Sequence, residues 1–224
     1  MRTKGLMLLV CLGASASLMA QSDEVERVAK ATTVFEEIMA VPEKAIPDKI
    51  LSNAEAIAVF PSTLKGGFGF GAHHGKGIVS RRNRAAGTWT APGFLSLTGG
   101  SFGAQIGGQA LDLVLVVMNK KGLDSLMQSE FKIGGDASVA AGPVGRAVEA
   151  STDLLLNAEI LSYSRARGLF AGVTLNGSTI RQDRDANERF YGTAYRTGQI
   201  VFDGNGGSPE PVAEWKGVLA KYGK

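Results

Sequence analysis

The sequence holds one cysteine, Cys11, and two histidines, His73 and His74. A single cysteine closes no intrachain disulfide, and so few Cys and His residues build no zinc-type array. Beyond residue 20, no apolar run reaches the roughly eighteen residues that mark a membrane-spanning helix. No low-complexity or linker-like stretch divides residues 21–224, which therefore read as one domain. Acidic residues are missing from 56–111 altogether. Glycine is the exception to this scarcity. There are 30 in 224 residues, about 13% against a usual share of roughly 7%, and they lack the three-residue period of collagen. With 44% apolar and 20% charged residues, the composition is that of a globular protein.

Residues 1–20 have the layout of a secretory signal peptide. Arg2 and Lys4 precede the apolar run from Leu6 to Leu12, and small residues lead to Ala20. Cleavage is expected after Ala20 or after Ala16. Cys11 follows Leu-Leu-Val, a poor match to a lipoprotein box, so lipidation is not expected. The mature chain would then lack cysteine, which suits an oxidising compartment. The expected localisation is export, to the periplasm or outer membrane or into the medium.

Loss of Arg2 and Lys4 takes the formal charge from +3 to +1, so the basic precursor says little about partners. Distribution says more. The acid-free window carries Lys65, Lys76, Arg81, Arg82 and Arg84, while the rest of the mature chain is net acidic. Such asymmetry points to an anionic partner. Arg81-Arg82-Asn83-Arg84 followed by Ala-Ala-Gly reads as a hairpin tip, whose exposed side chains can reach a surface. An exported protein without interleaved exposed aromatics is not expected to bind nucleic acid.

Residues 23–40 read as an amphipathic helix, with Val25, Val28, Thr32, Phe35, Ile38 and Met39 at helical spacing. Its charges are net acidic, unlike the Lys/Arg-rich face of an interfacial helix. Packing on the domain is expected, with membrane contact as the alternative. A short helix is expected over 47–54, then strand Ile57 to Phe60, stopped by Pro61. Gly67 to Gly71 alternates glycine and phenylalanine at period two, which reads as one strand with Gly69 closely approached by a neighbour. Leu111 to Met118 is an apolar strand broken only by Asp112. A helix over 120–128, strands over 131–141, 159–164 and 169–181, and helices over 183–191 and 209–222 complete the expectation. The fold class is α+β: a glycine-rich, largely antiparallel sheet, barrel-like, flanked by helices.

Catalytic motifs are weak. Gly99-Gly100-Ser101-Phe102-Gly103 matches the G-x-S-x-G nucleophile elbow, but both histidines precede Ser101, whereas the elbow's histidine follows it. His73 and His74 are adjacent, so on a strand they point to opposite faces and do not share a metal. Asp183, Asp185 and Glu188 read as the start of a helix, where acids suit the dipole. No cofactor or metal is expected.

Six segments carry a resemblance when taken in order: AEAIAVFP (54–61), KGGFGFGAHHGKGI (65–78), WTAPGFLSLTGGSFGAQIGG (89–108), DLVLVVM (112–118), GGDASVAAGPVG (134–145) and EILSYSRARGLFAG (159–172). Together they resemble the SYLF domain family, over about residues 30–192. That family includes eukaryotic phosphoinositide-binding and actin-regulating proteins and many exported bacterial members. The resemblance implies non-enzymatic binding of phospholipid or another anionic lipid in the cell envelope. In eukaryotic relatives an amphipathic N-terminal helix and basic residues engage the membrane; here the helix is acidic, and an exported protein meets no actin. The candidate lipid-binding residues are Lys65, Lys76, Arg81, Arg82 and Arg84. The rival functions are an envelope protein with a protein partner and, more distantly, a hydrolase using Ser101.

Overall fold

The apolar runs Ile57–Phe60 and Leu113–Val117 are fully buried residue by residue, because their strands are covered on both faces. The computed structural model describes residues 23–41, 45–68, 70–102, 109–145, 158–166, 169–173 and 177–223. Among these, six helices accompany ten strands. The helices are α1 (23–39), α2 (Asp48–Asn53), α3 (Lys120–Leu126), α4 (Arg184–Tyr191), α5 (Thr197–Asp203) and α6 (Glu210–Tyr222). The strands are β1 (Ala56–Phe68), β2 (Phe70–Asn83), β3 (Thr88–Trp89), β4 (Gly93–Phe102), β5 (Gln109–Val117), β6 (Glu130–Lys132), β7 (Val139–Ala141), β8 (Ile160–Ala166), β9 (Leu169–Gly172) and β10 (Ser178–Gln182).

The strand order is β6-β10-β4-β2-β1-β5-β8-β7, with β3 on β2 and β9 on β8. Every pairing is antiparallel except β7 with β8. The sheet curls into a half-barrel, so the α+β, barrel-like expectation holds. Phe131 near one end of the order and Val139 at the other share a core with Ala58, Phe60, Leu95, Leu115 and Leu123. That core fills the inside of the curl. On the outside, Ile57, Val59, Ile78, Phe94 and Val114 pack against α1, α2, α4 and α6 through Phe35, Ile50, Phe190 and Trp215.

Helix α1 belongs to the domain. Val28, Ala31, Val34, Phe35, Ile38 and Met39 are buried, and large apolar side chains each contribute about 1.5–3 kcal/mol on burial. Its polar residues are tied down as well. Glu24 pairs with Arg189 at 2.8 Å, Arg27 with Asp183 at 3.0 Å, and Glu37 with Arg165. The apolar stripe that membrane contact would use is spent on the core, which corrects that alternative.

Pro61 does not stop the first strand. β1 runs through it to Phe68 by a bulge that shifts the register between Phe60 and Leu64. Ser62 takes φ 54° there, and its N–H is received by Asp112 Oδ1 at 2.9 Å. The one charged residue of the apolar fifth strand thus supplies the bulge with its missing acceptor. Gly67–Gly71 is also not a single strand, since Phe68 and Phe70 pair across β1 and β2. The strand expected over 131–141 breaks at a turn where Gly134 has φ 83° and Asp136 accepts the Lys132 N–H at 2.6 Å. That expected over 169–181 divides into β9 and β10, and α5 was not expected at all. The signal peptide expected over 1–20, and Gly69, lie outside the described residues.

Candidate functional site

Strand β2 carries Lys76 at its middle and Arg81 and Arg82 towards its end. Lys76 is exposed and stands opposite Ser96 of β4. Lys65 stands on β1 opposite His73 of β2 and Gln109 of β5. Arg81 and Arg82 are five and six residues beyond Lys76 along β2, about 17–20 Å at strand rise. The five candidates therefore form two groups rather than one patch.

The arginine group is indeed at a hairpin, formed by β2, a turn at 84–87 and β3, with Gly87 at φ 65° in the turn. Asn83 Oδ1 accepts the Ala86 N–H at 3.1 Å, an Asx-type closure that pins the reversal. The guanidiniums, however, face inward as much as outward. Helix α2 has no basic residue in its last turn. Its last carbonyls are capped from the sheet instead. Arg82 donates to Leu51 O at 2.9 Å and to Ser52 O at 3.3 Å, and also reaches the carbonyl of Gly223. Arg84 donates to Asn53 O at 2.8 Å and Ala54 O at 3.3 Å. Glu55, the last acid before the acid-free window, pairs with Arg81 at 3.0 Å and Arg84 at 3.4 Å. Arg82 also lies over the Trp89 ring, 4.9 Å from its centroid. Burial lowers the pKa of Arg82, the charge of Arg84 lowers it further, and Glu55 opposes both. The expectation of side chains free to reach a surface applies best to Arg84, whose side chain is 51% exposed.

Two open clefts flank this hairpin. One of about 290 Å³ is lined by Arg82, Arg84, Gly87, Trp89, Ala220 and Gly223 and has no acidic lining. The other, of about 320 Å³, runs between Arg81 and Phe202 and includes Glu55 and Asp203. Arg81 lies 5.5 Å from the Phe202 ring centroid. Glu55, Trp89 and Asp203 were not singled out in the sequence. The signal for Glu55 was there, as the last acid before the acid-free window.

The other motifs resolve structurally. Ser101 lies near the end of β4, paired with Gly71 of β2. His73 Nε2 is 2.6 Å from Ser178 Oγ, and His74 is exposed. Asp183 caps α4 by accepting the Ala186 N–H at 3.1 Å, as expected of an acid at a helix start. Among the described residues no helix is long and apolar enough to cross a membrane.

The described residues form a half-barrel clothed in helices, with two open clefts beside the arginine hairpin. The family described as "Ysc84: Las17-binding protein actin regulator" matches residues 98–222. The chain is 34% identical over 192 residues to the SH3 domain-containing YSC84-like protein 1 of Rattus norvegicus, covering 84% of this chain and 55% of that protein. The Homo sapiens protein of the same name gives the same figures. Protein YSC84 of Saccharomyces cerevisiae is 36% identical over 155 residues, 67% of this chain and 32% of the yeast protein. The chain belongs to the Ysc84 family, that of the SYLF domain. It spans about half the length of its mammalian relatives and a third of the yeast one.

Proposed function

We propose that this domain binds anionic phospholipid at a membrane surface and carries out no catalysis. The observation that supports it is where the acid-free window sits in the fold. Residues 56–111 supply β1, β2, β3, β4 and the start of β5, the centre of the sheet, with Lys65 towards one end of it, Lys76 midway and the arginines at the other end. Each basic residue near an anionic surface contributes on the order of 1 kcal/mol, and salt screens it within a Debye length. Export directed by residues 1–20 would place this activity at the periplasm or outer membrane. N-terminal sequencing that found Met1 intact in the exported protein would overturn that placement.

The test is co-sedimentation with vesicles of phosphatidylcholine alone and of equimolar phosphatidylcholine and phosphatidylserine, at low and high salt. Binding to the anionic vesicles alone, falling as salt rises, is the expected result. Equal binding to both, or to neither, overturns the reading. A protein partner is the second reading, favoured by the names of the yeast relatives called LAS seventeen-binding protein 3. Calorimetric titration of the purified domain with Las17 tests it directly, and the absence of a binding heat and of a complex on gel filtration removes it.

A further inference from the structure

The hairpin at the end of β2 holds more positive charge than its surroundings neutralise. Arg81, Arg82 and Arg84 stand close together, and Glu55 is the carboxylate paired with them, at 3.0 Å from Arg81 and 3.4 Å from Arg84. Three cations against one carboxylate give a local net charge of +2. Arg82 has no carboxylate partner among the described residues, and its hydrogen bonds go to the carbonyls of Leu51, Ser52 and Gly223. Burial and then the charge of Arg84 lower its pKa, as expected of a cation held beside a like charge. Asp203 lines the cleft on the Arg81 side and forms no ion pair with the three arginines.

On the other side the charge opens onto the cleft of about 290 Å³, whose walls are Arg82, Arg84, Gly87, Trp89, Ala220 and Gly223. Its back wall is rigid. Trp89 is buried beneath the Arg82 guanidinium, and a Cβ on Gly223 would stand 2.6 Å from Arg82 Nη2 and 3.0 Å from Trp89 Cζ2. A guanidinium already immobilised loses little freedom when it receives a ligand. Arg84 is the solvent-facing arm. It commits Nη2 to Asn53 O at 2.8 Å and Ala54 O at 3.3 Å, while Nε and Nη1 make only long contacts, 3.4 Å to Glu55 and 3.5 Å to Ser52 O. Those two donors are the ones an incoming anion exchanges most readily. Gly87 and Ala220 are exposed and form the rim. The volume lies at the bottom of the roughly 300–1,000 Å³ range of small-molecule sites, room for a phosphate with a few carbons and too little for an acyl chain.

Resting on the lipid reading above, we infer that this cleft binds a phosphate monoester, held between Arg84 and Arg82 at the end of α6. Charge selects the monoester. It carries about −1.5 to −2 near neutral pH on three terminal oxygens, which answers the local +2. A phosphodiester headgroup, or a carboxylate, brings only a single charge. The terminal oxygens accept from Arg84 Nε and Nη1 in charge-assisted bonds shorter than the contacts they replace. Arg82 supplies its charge from behind, with its own hydrogen bonds intact. Monoesters occur both as lipid headgroups, in phosphatidate, and as soluble glycerol or sugar phosphates, and the cleft takes the chemistry that these share.

The experiment uses the full chain and phosphatidylcholine vesicles containing either phosphatidate or phosphatidylglycerol, adjusted to the same zeta potential. Binding about tenfold tighter to phosphatidate is expected, the effect of roughly one further charge neutralised. Ala220→Glu sets a carboxylate on the cleft wall at an exposed position of α6 and leaves both arginines in place. It should erase the preference and keep both the thermal transition and the salt-sensitive binding common to the two lipids. In a soluble arm, glycerol 3-phosphate is titrated while the indole N–H resonances of the two tryptophans are followed. That of Trp89 should move, and that of Trp215, buried and bonded to Ser80 Oγ at 2.9 Å, should not. If Ala220→Glu does not fold, this arm decides alone. A Trp89 shift without preference between the vesicles keeps the monoester site and assigns it to a soluble ligand. Equal binding to both lipids with no Trp89 shift overturns the site and leaves the lipid reading standing. So does a phosphatidate preference that folded Ala220→Glu retains. Wild-type protein that binds neither vesicle nor glycerol 3-phosphate overturns both.

Discussion

Asn187 donates from Nδ2 to the Thr197 hydroxyl at 3.1 Å, and both residues are fully buried. The Thr197 hydroxyl donates to the Phe94 carbonyl at 2.7 Å, and the Phe94 N–H returns to Asn187 Oδ1 at 3.0 Å. This closed ring fastens α4 and α5 to the start of β4. Asn187→Leu leaves the Phe94 N–H buried without an acceptor and should cost about 1–3 kcal/mol. Adding Thr197→Val should cost less than the sum of the single changes, since the ring is already open. Urea unfolding of the three variants measures the coupling, and strict additivity would show that the ring does not act as a unit.

Arg82 and Arg84 should separate on substitution. Arg82→Ala removes donors from Leu51, Ser52 and Gly223 together with a contact on Trp89, and a loss of about 2 kcal/mol is expected. Arg84→Ala removes a half-exposed side chain whose ion pair is solvent-screened, and less than about 1 kcal/mol is expected. Thermal melts distinguish the two. An Arg82 variant as stable as the parent would mean that α2 does not need its borrowed cap.

Gly77 sits where a side chain has no room. A Cβ there would meet the ring of Phe60, which is fully buried, and would stand 2.6 Å from the carbonyl oxygen of Val59. Gly77→Ala should therefore lower stability by about 1–3 kcal/mol although alanine loses less chain entropy on folding. A raised melting midpoint would show that the strand can shift to admit the methyl group.

Acid should weaken the contact between α3 and β8. Glu159 accepts from Lys121 Nζ and, at 2.9 Å, from the Ser138 N–H, and these bonds hold its carboxyl below the usual carboxylate range. A depressed folded pKa contributes stability above the unfolded value, near pH 4.5, and that contribution is lost as pH falls through the folded one. Wild type and Glu159→Gln should therefore converge in stability as the pH is lowered through this range. A gap between them that stays constant would assign the effect to packing and not to ionisation.

What the sequence disclosed, and what it withheld, follows the range of the interactions. α1, α4 and α6 were legible because their apolar spacing and caps are local, as with Asp183 before α4. The sheet's class was legible from β-branched runs and alternating glycines. The bulge at Ser62 was not, because its acceptor is Asp112, fifty residues away, and Pro61 alone reads as a stop. Helix α5 escaped because Gly198 and three β-branched residues in seven positions weaken its pattern, while Thr197 is held by residues of β4 and α4. For the candidate site, the arginine hairpin was read correctly as a turn. Its engagement with α2 could not be seen, because the carbonyls it caps lie thirty residues upstream.

The docking of α1 constrains how the protein can be made. Phe35 meets Trp215 edge-on at 5.9 Å and Tyr222 at 6.3 Å, and Glu24 and Arg27 reach Arg189 and Asp183. Helix α1 therefore closes these contacts only once α4 and α6, more than 150 residues further along the chain, have been synthesised. Until then its apolar stripe has no native cover. A chain arrested before α6 would hold Phe35 open to holdase chaperones, and hydrogen exchange during refolding should find α1 among the last segments to gain protection.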